Sequence, residues 1–206
     1  LLPNSRAEAR QVARIYGVPS QRICVVPNAV DERFAAGDPS LFANRFDLHE
    51  PFVLTIGRIE PRKNQLRLIR ALKGTGLRLV IIGRDRHPDY VAQCRRTADD
   101  RVLFLPPIPH DDPLLASAYA ACRVFASPSL LETPGLTAME AAVAGASIVT
   151  TPVGGGEEYF GNHALYVNPL SEPDIRRKVL LAWDDTGPRE AIRQHMLQRF
   201  TWRNVA

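Results

Sequence analysis

At 206 residues, the chain is long enough to bury one sizeable hydrophobic core. Its 45% apolar and 23% charged residues form an ordinary globular composition, and no apolar run approaches the roughly 18 residues of a membrane-spanning helix. The formal net charge of +4 comes from scattered basic residues, so a nucleic-acid surface is not indicated. Cys24, Cys94 and Cys122 lack metal-ligand spacing and are predicted to be buried thiols in a reducing cytoplasm.

Strand-like and helix-like segments alternate along the chain with short connections. Residues 6–16 are predicted to form a helix, residues 23–26 a strand, and the polar stretch 31–50 a linker. Further strands are predicted at residues 52–56, 77–82, 102–105, 124–126, 147–150 and 164–167. Further helices are predicted at residues 65–72, 89–97 and 113–121, through Glu140, and at residues 174–183 and 189–198.

Continuous apolar strands separated by helices indicate a parallel sheet with helices on both faces. With right-handed crossovers, this is a doubly wound, Rossmann-like α/β domain. Such sheets bind ligands beyond the carboxyl ends of their strands, and the unusual residues of this chain fall there. They are Gly57 with Arg58, Gly83, and residues 106–109, 127–134 and 154–157. The sequence therefore predicts a single site formed by five loops at one edge of the sheet.

The stretch from Glu132 to Glu140 is the most informative part of the sequence. Thr133 suits a helix N-cap and Pro134 a first helical position, so a helix is predicted to begin here. The N–H groups of residues 135–137 would then be unpaired at a positive helix end, which suits an anionic ligand. One carboxylate precedes the helix and the other lies two turns inside it. The pair can therefore hold two ends of one elongated, polar, anionic molecule.

Glu140 lies beside an apolar helical stripe formed by Leu136, Met139 and Val143. Burying a carboxylate there without partners would cost several kcal/mol. Two interpretations follow from this position. Glu140 is either a semi-exposed helix glutamate that reaches solvent, or a carboxylate that receives hydrogen bonds from partners.

Basic residues follow the first strand of the regular alternation. Arg58 and Lys63 are placed to meet a diphosphate from two sides, where they would stabilise the charge that grows as it departs. Arg62 is interpreted as a solvated residue at a helix start. Gly83 is either a routine strand-ending glycine or part of the site. The glycine triplet 154–156 is either a plain turn or a loop that a ligand can approach closely.

Other common site types are missing from the sequence. His110 precedes Asp111 and Asp112, one of which is predicted to cap a helix that begins at Pro113. The histidines lack the spacing of a zinc site or a nucleophilic triad, so no metal is expected. The chain has no phosphate-loop motif and no Gly-x-Gly-x-x-Gly after a strand. These absences count against an ATPase and a simple dehydrogenase.

Together these residues resemble the C-terminal, donor-binding half of a family 4 (group 1) retaining glycosyltransferase of the GT-B fold. The resembling stretches are residues 27–31, 57–63, 79–83, 128–129, 132–140 and 154–157. The specific part is the combination of two glutamates separated by seven residues with the pair Arg58 and Lys63.

The resemblance implies that the domain binds a nucleoside-diphosphate sugar and needs no metal or other cofactor. It assigns catalytic roles to Glu132, Arg58 and Lys63: the two cations would bind the diphosphate, and Glu132 would orient the transferred sugar or stabilise positive charge on it. Glu140 would bind the ribose hydroxyls. The other implied donor-binding residues are Gly57, Gly83, Ile108 near the base, Thr133, Pro134, Gly135, Leu136 and Thr137.

The resemblance also implies a second domain, because the active site of a GT-B enzyme lies between two domains. Residues 1–35 are predicted to be the end of the acceptor-side domain with its linker, and residues 36–206 to be the donor-binding domain. A saccharide or lipid-linked acceptor would bind to the missing domain, so the chain alone is expected to be inactive. The expected location is the cytoplasm, with attachment to the inner face of the membrane only through the missing parts. Polysaccharide biosynthesis is the expected process, and nucleic acid is not an expected partner.

Two alternatives to glycosyl transfer remain at this stage. A nucleotide-sugar epimerase uses the same two-domain architecture, although the glutamate pair argues against it. A non-catalytic module that binds a nucleotide sugar would have kept the fold and lost turnover.

Overall fold

The computed structural model describes residues 1–185, 187 and 189–205. The strands are β1 Phe52–Ile56, β2 Arg78–Ile82, β3 Val102–Leu105, β4 Val124–Ser127, β5 Ser147–Thr150 and β6 Ala164–Tyr166. The helices are α1 Arg6–Tyr16, α2 Pro39–Phe46, α3 Gln65–Leu72, α4 Pro88–Thr97, α5 Pro113–Ala121, α6 Leu136–Val143, α7 Gly156–Phe160, α8 Glu172–Asp184, α9 Glu190–Arg199 and α10 Trp202–Val205. All pairings between these strands are parallel, in the order β3-β2-β1-β4-β5-β6.

Alternate residues of the central strands point into two separate hydrophobic cores, as the pleat of a strand requires. Leu54 and Phe125 face the core under α2, α5, α6 and α9. Val53 and Val124 face the core under α3, α4 and α8. All four side chains are fully buried, and each contributes about 1.5–3 kcal/mol to the free energy of unfolding. The predicted doubly wound α/β fold with helices on both faces is confirmed.

The order of the strands determines where a ligand can bind. The chain moves outward from β1 through β2 to β3, and then returns to the opposite side of β1 as β4. Between β1 and β4 the connections therefore leave toward opposite sides, which opens a crevice beyond the carboxyl ends of these two strands. The loop after β1 carries Arg58 and Lys63, and the loop after β4 carries Glu132. The fold places these two loops side by side.

Residues 31–50 are not the irregular linker that the sequence analysis predicts. A short 3₁₀ helix, Glu32–Ala36, and α2 occupy most of this stretch. Phe34 and Phe42 are buried in the first core, so the segment is part of the domain. The Asp38 side chain accepts a hydrogen bond from the Ser40 N–H at 2.9 Å, which caps α2 before Pro39. Asp38 followed by Pro39 is the sequence signal for this cap.

Residues 23–26 are not a strand. The N–H groups of Cys24 and Val26 donate to the carbonyls of Leu1 and Pro3, and the segment has no longer ladder. The Cys24 side chain is exposed, so the prediction that it is buried is wrong. Cys94 and Cys122 are buried, as predicted.

Helix α1 is attached to the domain at its first turn. Ser5 caps it by accepting from the Glu8 N–H, and the Glu158 carboxylate of α7 accepts from the N–H groups of Arg6 and Ala7. Helix α7 itself begins inside the glycine triplet, where the sequence analysis expected a loop or turn. Among the described residues, no helix has both the length and the apolar character to cross a membrane.

Candidate functional site

The first wall of the crevice is the loop after β1. The pairing between β1 and β2 continues beyond the strands, since Gly57 donates to the Ile82 carbonyl and Ile59 donates to the Arg84 carbonyl. A Cβ atom on Gly83 would lie 1.8 Å from the Gly57 carbonyl oxygen, which no side chain can tolerate. The structure therefore explains Gly83 as the residue that lets two backbone segments meet.

Glu60 organises the cations of this loop. Its side chain is buried, and its Oε1 lies 3.2 Å from the guanidinium groups of both Arg58 and Arg62. Arg62 also donates to the Leu131 carbonyl at 2.8 Å. The interpretation of Arg62 as a merely solvated residue is wrong, because these bonds hold it across the crevice against the loop after β4.

Asn64 joins the two walls and a third loop. Its backbone has a left-handed φ of 62°, which asparagine tolerates better than most residues. From this conformation its side-chain amide donates to the Pro128 carbonyl at 2.8 Å and to the Pro169 carbonyl at 2.7 Å. The loops after β1, β4 and β6 are therefore connected through one buried amide group.

Glu132 is the acidic centre of the second wall. It is only 5% exposed, and its Oε1 lies 2.6 Å from Lys63 Nζ. Ser129 donates to the same oxygen at 2.6 Å and Ser127 at 3.3 Å. The burial of this carboxylate is thus compensated by one cation and two hydroxyl groups.

The backbone of Glu132 pairs with the glycine triplet. Its N–H donates to the Val153 carbonyl and its carbonyl accepts from the Gly155 N–H, both at 3.1 Å. Gly154 lies between them with a φ of 115°, and a Cβ there would approach the Glu132 carbonyl oxygen to 1.9 Å. The triplet is therefore more than a plain turn, because it fixes the position of Glu132 in the crevice.

Helix α6 begins later than predicted. Gly135 has a φ of 86° and is the N-cap, and the first helical residue is Leu136. The prediction that Thr133 caps the helix and that Pro134 begins it is wrong, because the left-handed Gly135 separates both from the helix. The N–H groups of Leu136 and Thr137 make no hydrogen bond within the part of the chain that the structure describes. They provide the positive helix end that the sequence analysis expected, one residue further along.

These groups surround a cavity of about 470 Å³. Of the predicted site residues, the structure brings these to the cavity wall: Arg58, Lys63, Glu132, Thr133, Gly135, Leu136 and Thr137. Arg62 and Leu131 complete the wall. The predicted residues outside it are Gly57, Gly83, Ile108, Pro134 and Glu140. Ile108 packs against the first core, and Pro134 is buried.

Glu140 lies one turn deeper in α6 and faces a different set of partners. It is 8% exposed, its Oε2 accepts from the Tyr119 hydroxyl at 2.6 Å, and its Oε1 lies 3.2 Å from His110 Nε2. Burial raises the pKa of Glu140 above its ordinary value of 4.5, and the bonds from Tyr119 and His110 oppose that rise. Of the two interpretations of Glu140, hydrogen-bonded partners rather than solvent exposure is the one that the structure shows.

The raised pKa of Glu140 predicts a pH effect on stability. Because the folded state binds the Glu140 proton more tightly than the unfolded state, this carboxyl group stabilises the fold less as the pH rises from 4.5 through the raised value. As the pH rises over that range, we expect the unfolding free energy of the wild type to fall relative to that of Glu140→Gln. Urea unfolding at a series of pH values measures it, with the exposed Glu32→Gln as control. A pH-independent difference would contradict the prediction.

The sequence analysis missed several residues that hold the two glutamates. Ser127 and Ser129 lie in a segment assigned to the site, but their bonds to Glu132 were not foreseen. An alternating pattern of short polar residues leading to an acid was the available signal. Asp112 caps α5 as one of the two predicted candidates, whereas the contacts of His110 and Tyr119 with Glu140 carried no sequence signal.

A larger cavity, of about 590 Å³, lies near the amino ends of β5 and β6 and contains none of the predicted site residues. We place the candidate site at the smaller cavity, because the carboxyl edge of the sheet holds the convergent charged groups. Within the described residues, no group of three histidine, cysteine, aspartate or glutamate side chains is arranged to hold a metal ion.

Residues 38–198 match the family described as "Glycosyl transferases group 1". The chain belongs to the group 1 glycosyltransferases. The predicted resemblance is therefore confirmed at the level of the family. The division into residues 1–35 and 36–206 stays a prediction.

Several longer proteins are similar to this chain in sequence or in structure. The serotype-specific mannosyltransferase WbdA of Escherichia coli is 28% identical over 98% of this chain and 27% of its own length. The D-inositol 3-phosphate glycosyltransferase of Nocardia farcinica is 34% identical over 75% of this chain and 38% of its own. A glycosyltransferase structure from Rickettsia africae superposes with a TM-score of 0.88 at 17% identity, covering 99% of this chain and 60% of that one. This chain thus spans less than two thirds of each of these relatives.

Proposed function

We propose that the chain is the donor-binding part of a retaining glycosyltransferase that takes a nucleoside-diphosphate sugar. The observation that carries the proposal is the cavity at the strand switch point, where Arg58 and Lys63 meet Glu132 and the free N–H groups of α6. Two cations and a positive helix end suit a diphosphate. A buried carboxylate in the same cavity suits the hydroxyl groups or the developing positive charge of a sugar.

The ion pair between Lys63 and Glu132 places a cation and a carboxylate side by side in the cavity. The two charges compensate each other at 2.6 Å, so neither is buried unpaired. A diphosphate at the cavity would offer Lys63 additional oxygens and leave Glu132 Oε2 for the sugar. The cations would then stabilise the charge of the departing nucleoside diphosphate during transfer. The proposal requires no metal or other cofactor.

For the acceptor we propose a chemical class and no particular molecule. The printed names of the relatives concern a serotype-specific mannosyltransferase and a D-inositol 3-phosphate glycosyltransferase. WaaG, which superposes with a TM-score of 0.79, is described as involved in lipopolysaccharide biosynthesis. By analogy we propose a saccharide or lipid-linked acceptor in cell-envelope polysaccharide synthesis. The acceptor would bind through a second domain in the cytoplasm or at the inner membrane face.

Calorimetric titration of the chain with uridine and guanosine diphosphates tests the donor proposal. We expect at least one of them to bind, and Arg58→Ala to weaken that binding by about tenfold or more, as loss of a charge-assisted hydrogen bond requires. Arg96→Ala, which removes an exposed arginine of α4, is the matched control and should leave the affinity unchanged. The proposal fails if a folded sample binds neither nucleotide.

A further inference from the structure

Five side chains form a compact cluster around the buried end of Glu140: Arg33, Phe34, His110, Tyr119 and Glu140 itself. The ring of Phe34 contacts His110 and Tyr119 edge-on, each with its centroid 5.5 Å away. The Arg33 guanidinium lies 4.9 Å from the Phe34 ring centroid and is also held by Asp31 at 3.5 Å. Arg33 and Phe34 precede the part of the chain that matches the family, which begins at residue 38.

The contacts of Arg33 determine the protonation pattern of His110. Arg33 Nη2 lies 2.7 Å from His110 Nδ1 and also donates to the His110 carbonyl. A guanidinium group can only donate hydrogen bonds, so Nδ1 must accept and carries no proton. The neutral imidazole therefore has its proton on Nε2, which lies 3.2 Å from Glu140 Oε1. Arg33 thus donates to His110, and His110 donates to the Glu140 carboxylate, which we call the chain of donors.

Tyr119 holds the other carboxylate oxygen of Glu140. Its hydroxyl is fully buried and donates to Glu140 Oε2 at 2.6 Å, and burial, with the adjacent Glu140 carboxylate, raises the Tyr119 pKa so that the hydroxyl stays protonated. An ionised carboxylate has about four acceptor positions. His110 and Tyr119 each occupy one, on different oxygens, which leaves one acceptor position on each. Two adjacent hydroxyl groups match that arrangement.

We propose that His110 is a positioning residue for nucleotide binding. Arg33 holds His110 in the Nε2–H tautomer, and His110 then orients Glu140 so that both carboxylate oxygens face the two ribose hydroxyl groups. The inference rests on the proposed function, since it concerns the ribose of the same donor. It adds two residues to the proposed donor site: His110 from the loop after β3, and Arg33 from the segment before the family match. The His110 side chain is 64% exposed, so it is accessible from solvent.

The first test needs no ligand. Proton–nitrogen correlation spectra of the imidazole groups, recorded at mildly alkaline pH, report which nitrogen carries the proton. We expect His110 to show the Nε2–H tautomer in the wild type, and a mixture of tautomers in Arg33→Ala. An Nδ1–H tautomer in the wild type, or identical spectra in Arg33→Ala, would overturn the proposed chain of donors.

The second test measures affinity for the nucleoside diphosphate that binds best. His110→Ala should weaken binding about tenfold. This is the lower end of the effect expected for loss of a hydrogen bond to a charged group, and we expect the lower end because His110 is largely exposed. His110→Gln keeps an N–H donor and should recover most of the affinity. His49→Ala removes another exposed histidine, near the amino end of β1, and should have no effect. The deoxyribose counterpart of the nucleotide presents only one of the two hydroxyl groups, so His110→Ala should weaken its binding less than it weakens binding of the ribonucleotide.

The outcomes separate the two proposals. If the ribonucleotide binds equally to the wild type, His110→Ala and Arg33→Ala, the positioning role is overturned while the donor site remains. The role is also overturned if His110→Ala weakens the ribose and deoxyribose forms to the same extent, since the effect would then be general to the fold. If neither diphosphate binds to the wild type, the proposed function itself fails, and the positioning role fails with it.

Discussion

Lys63→Met is expected to lower the free energy of unfolding by about 3 kcal/mol and to abolish nucleotide binding. The Glu132 carboxylate is buried, and without Lys63 its remaining side-chain partners in the described part of the chain would be two serine hydroxyl groups. Removing one member of a buried ion pair typically costs about 3–5 kcal/mol, and the lower end applies because the Lys63 side chain is 17% exposed. Urea unfolding measures the stability, and calorimetry measures the binding.

A double-mutant cycle distinguishes the charge from simple loss of packing. Adding Glu132→Gln to Lys63→Met removes the unpaired charge, so the double variant should recover much of the lost stability without recovering binding. The exposed pair between Arg70 and Glu172, at 3.7 Å, provides the control, and Arg70→Met should cost less than about 1 kcal/mol. Equal losses for Lys63→Met and Arg70→Met would show that the central pair contributes no more than a surface pair.

Gly154→Ala is expected to lower the free energy of unfolding by about 2–4 kcal/mol and to weaken nucleotide binding strongly. The new Cβ would lie 1.9 Å from the Glu132 carbonyl oxygen, so the loop that carries Glu132 must move. The left-handed backbone adds strain of about 1–3 kcal/mol. Thermal or urea unfolding and nucleotide titration measure the two effects.

Gly145→Ala separates the strain from the clash. Gly145 also has a positive φ, of 92°, but a Cβ there would meet nothing within 4 Å. This variant should therefore show the strain alone, about 1 kcal/mol, with unchanged nucleotide binding. If both variants lose the same stability and keep the same affinity, the close approach of Gly154 to Glu132 has no functional role.

The fold could be predicted from the sequence because its signals are local and repeated. The strands from β1 to β6 appear as short apolar runs, and the helices between them carry caps such as Asp112 before Pro113. The errors occurred where the local signals were weak or were overridden by packing. Residues 31–50 looked polar, but Phe34 and Phe42 are buried in the first core. At α6, the left-handed Gly135 overrode the stronger cap signal of Thr133.

The candidate site was predictable in its loops but not in its pairings. The rule for doubly wound sheets places Arg58, Lys63 and Glu132 at one edge, and the structure shows them around one cavity. The contact between Lys63 and Glu132 joins residues 69 positions apart, and spacing along the chain carries no information about it. The same holds for His110 and Glu140, which meet only because α5 and α6 pack on the same face of the sheet.

The amide group of Asn64 has a mechanical consequence. Since it donates to the carbonyls of both Pro128 and Pro169, a shift of one of the loops after β1, β4 and β6 relative to the others strains these two bonds. An anion that drew Arg58 or Lys63 inward would therefore strain the bond to Pro128 unless the loop after β4 moved with it. Binding of a ligand's phosphate groups by Arg58 and Lys63 would in this way influence the position of the Glu132 carboxylate at the other end of the ligand.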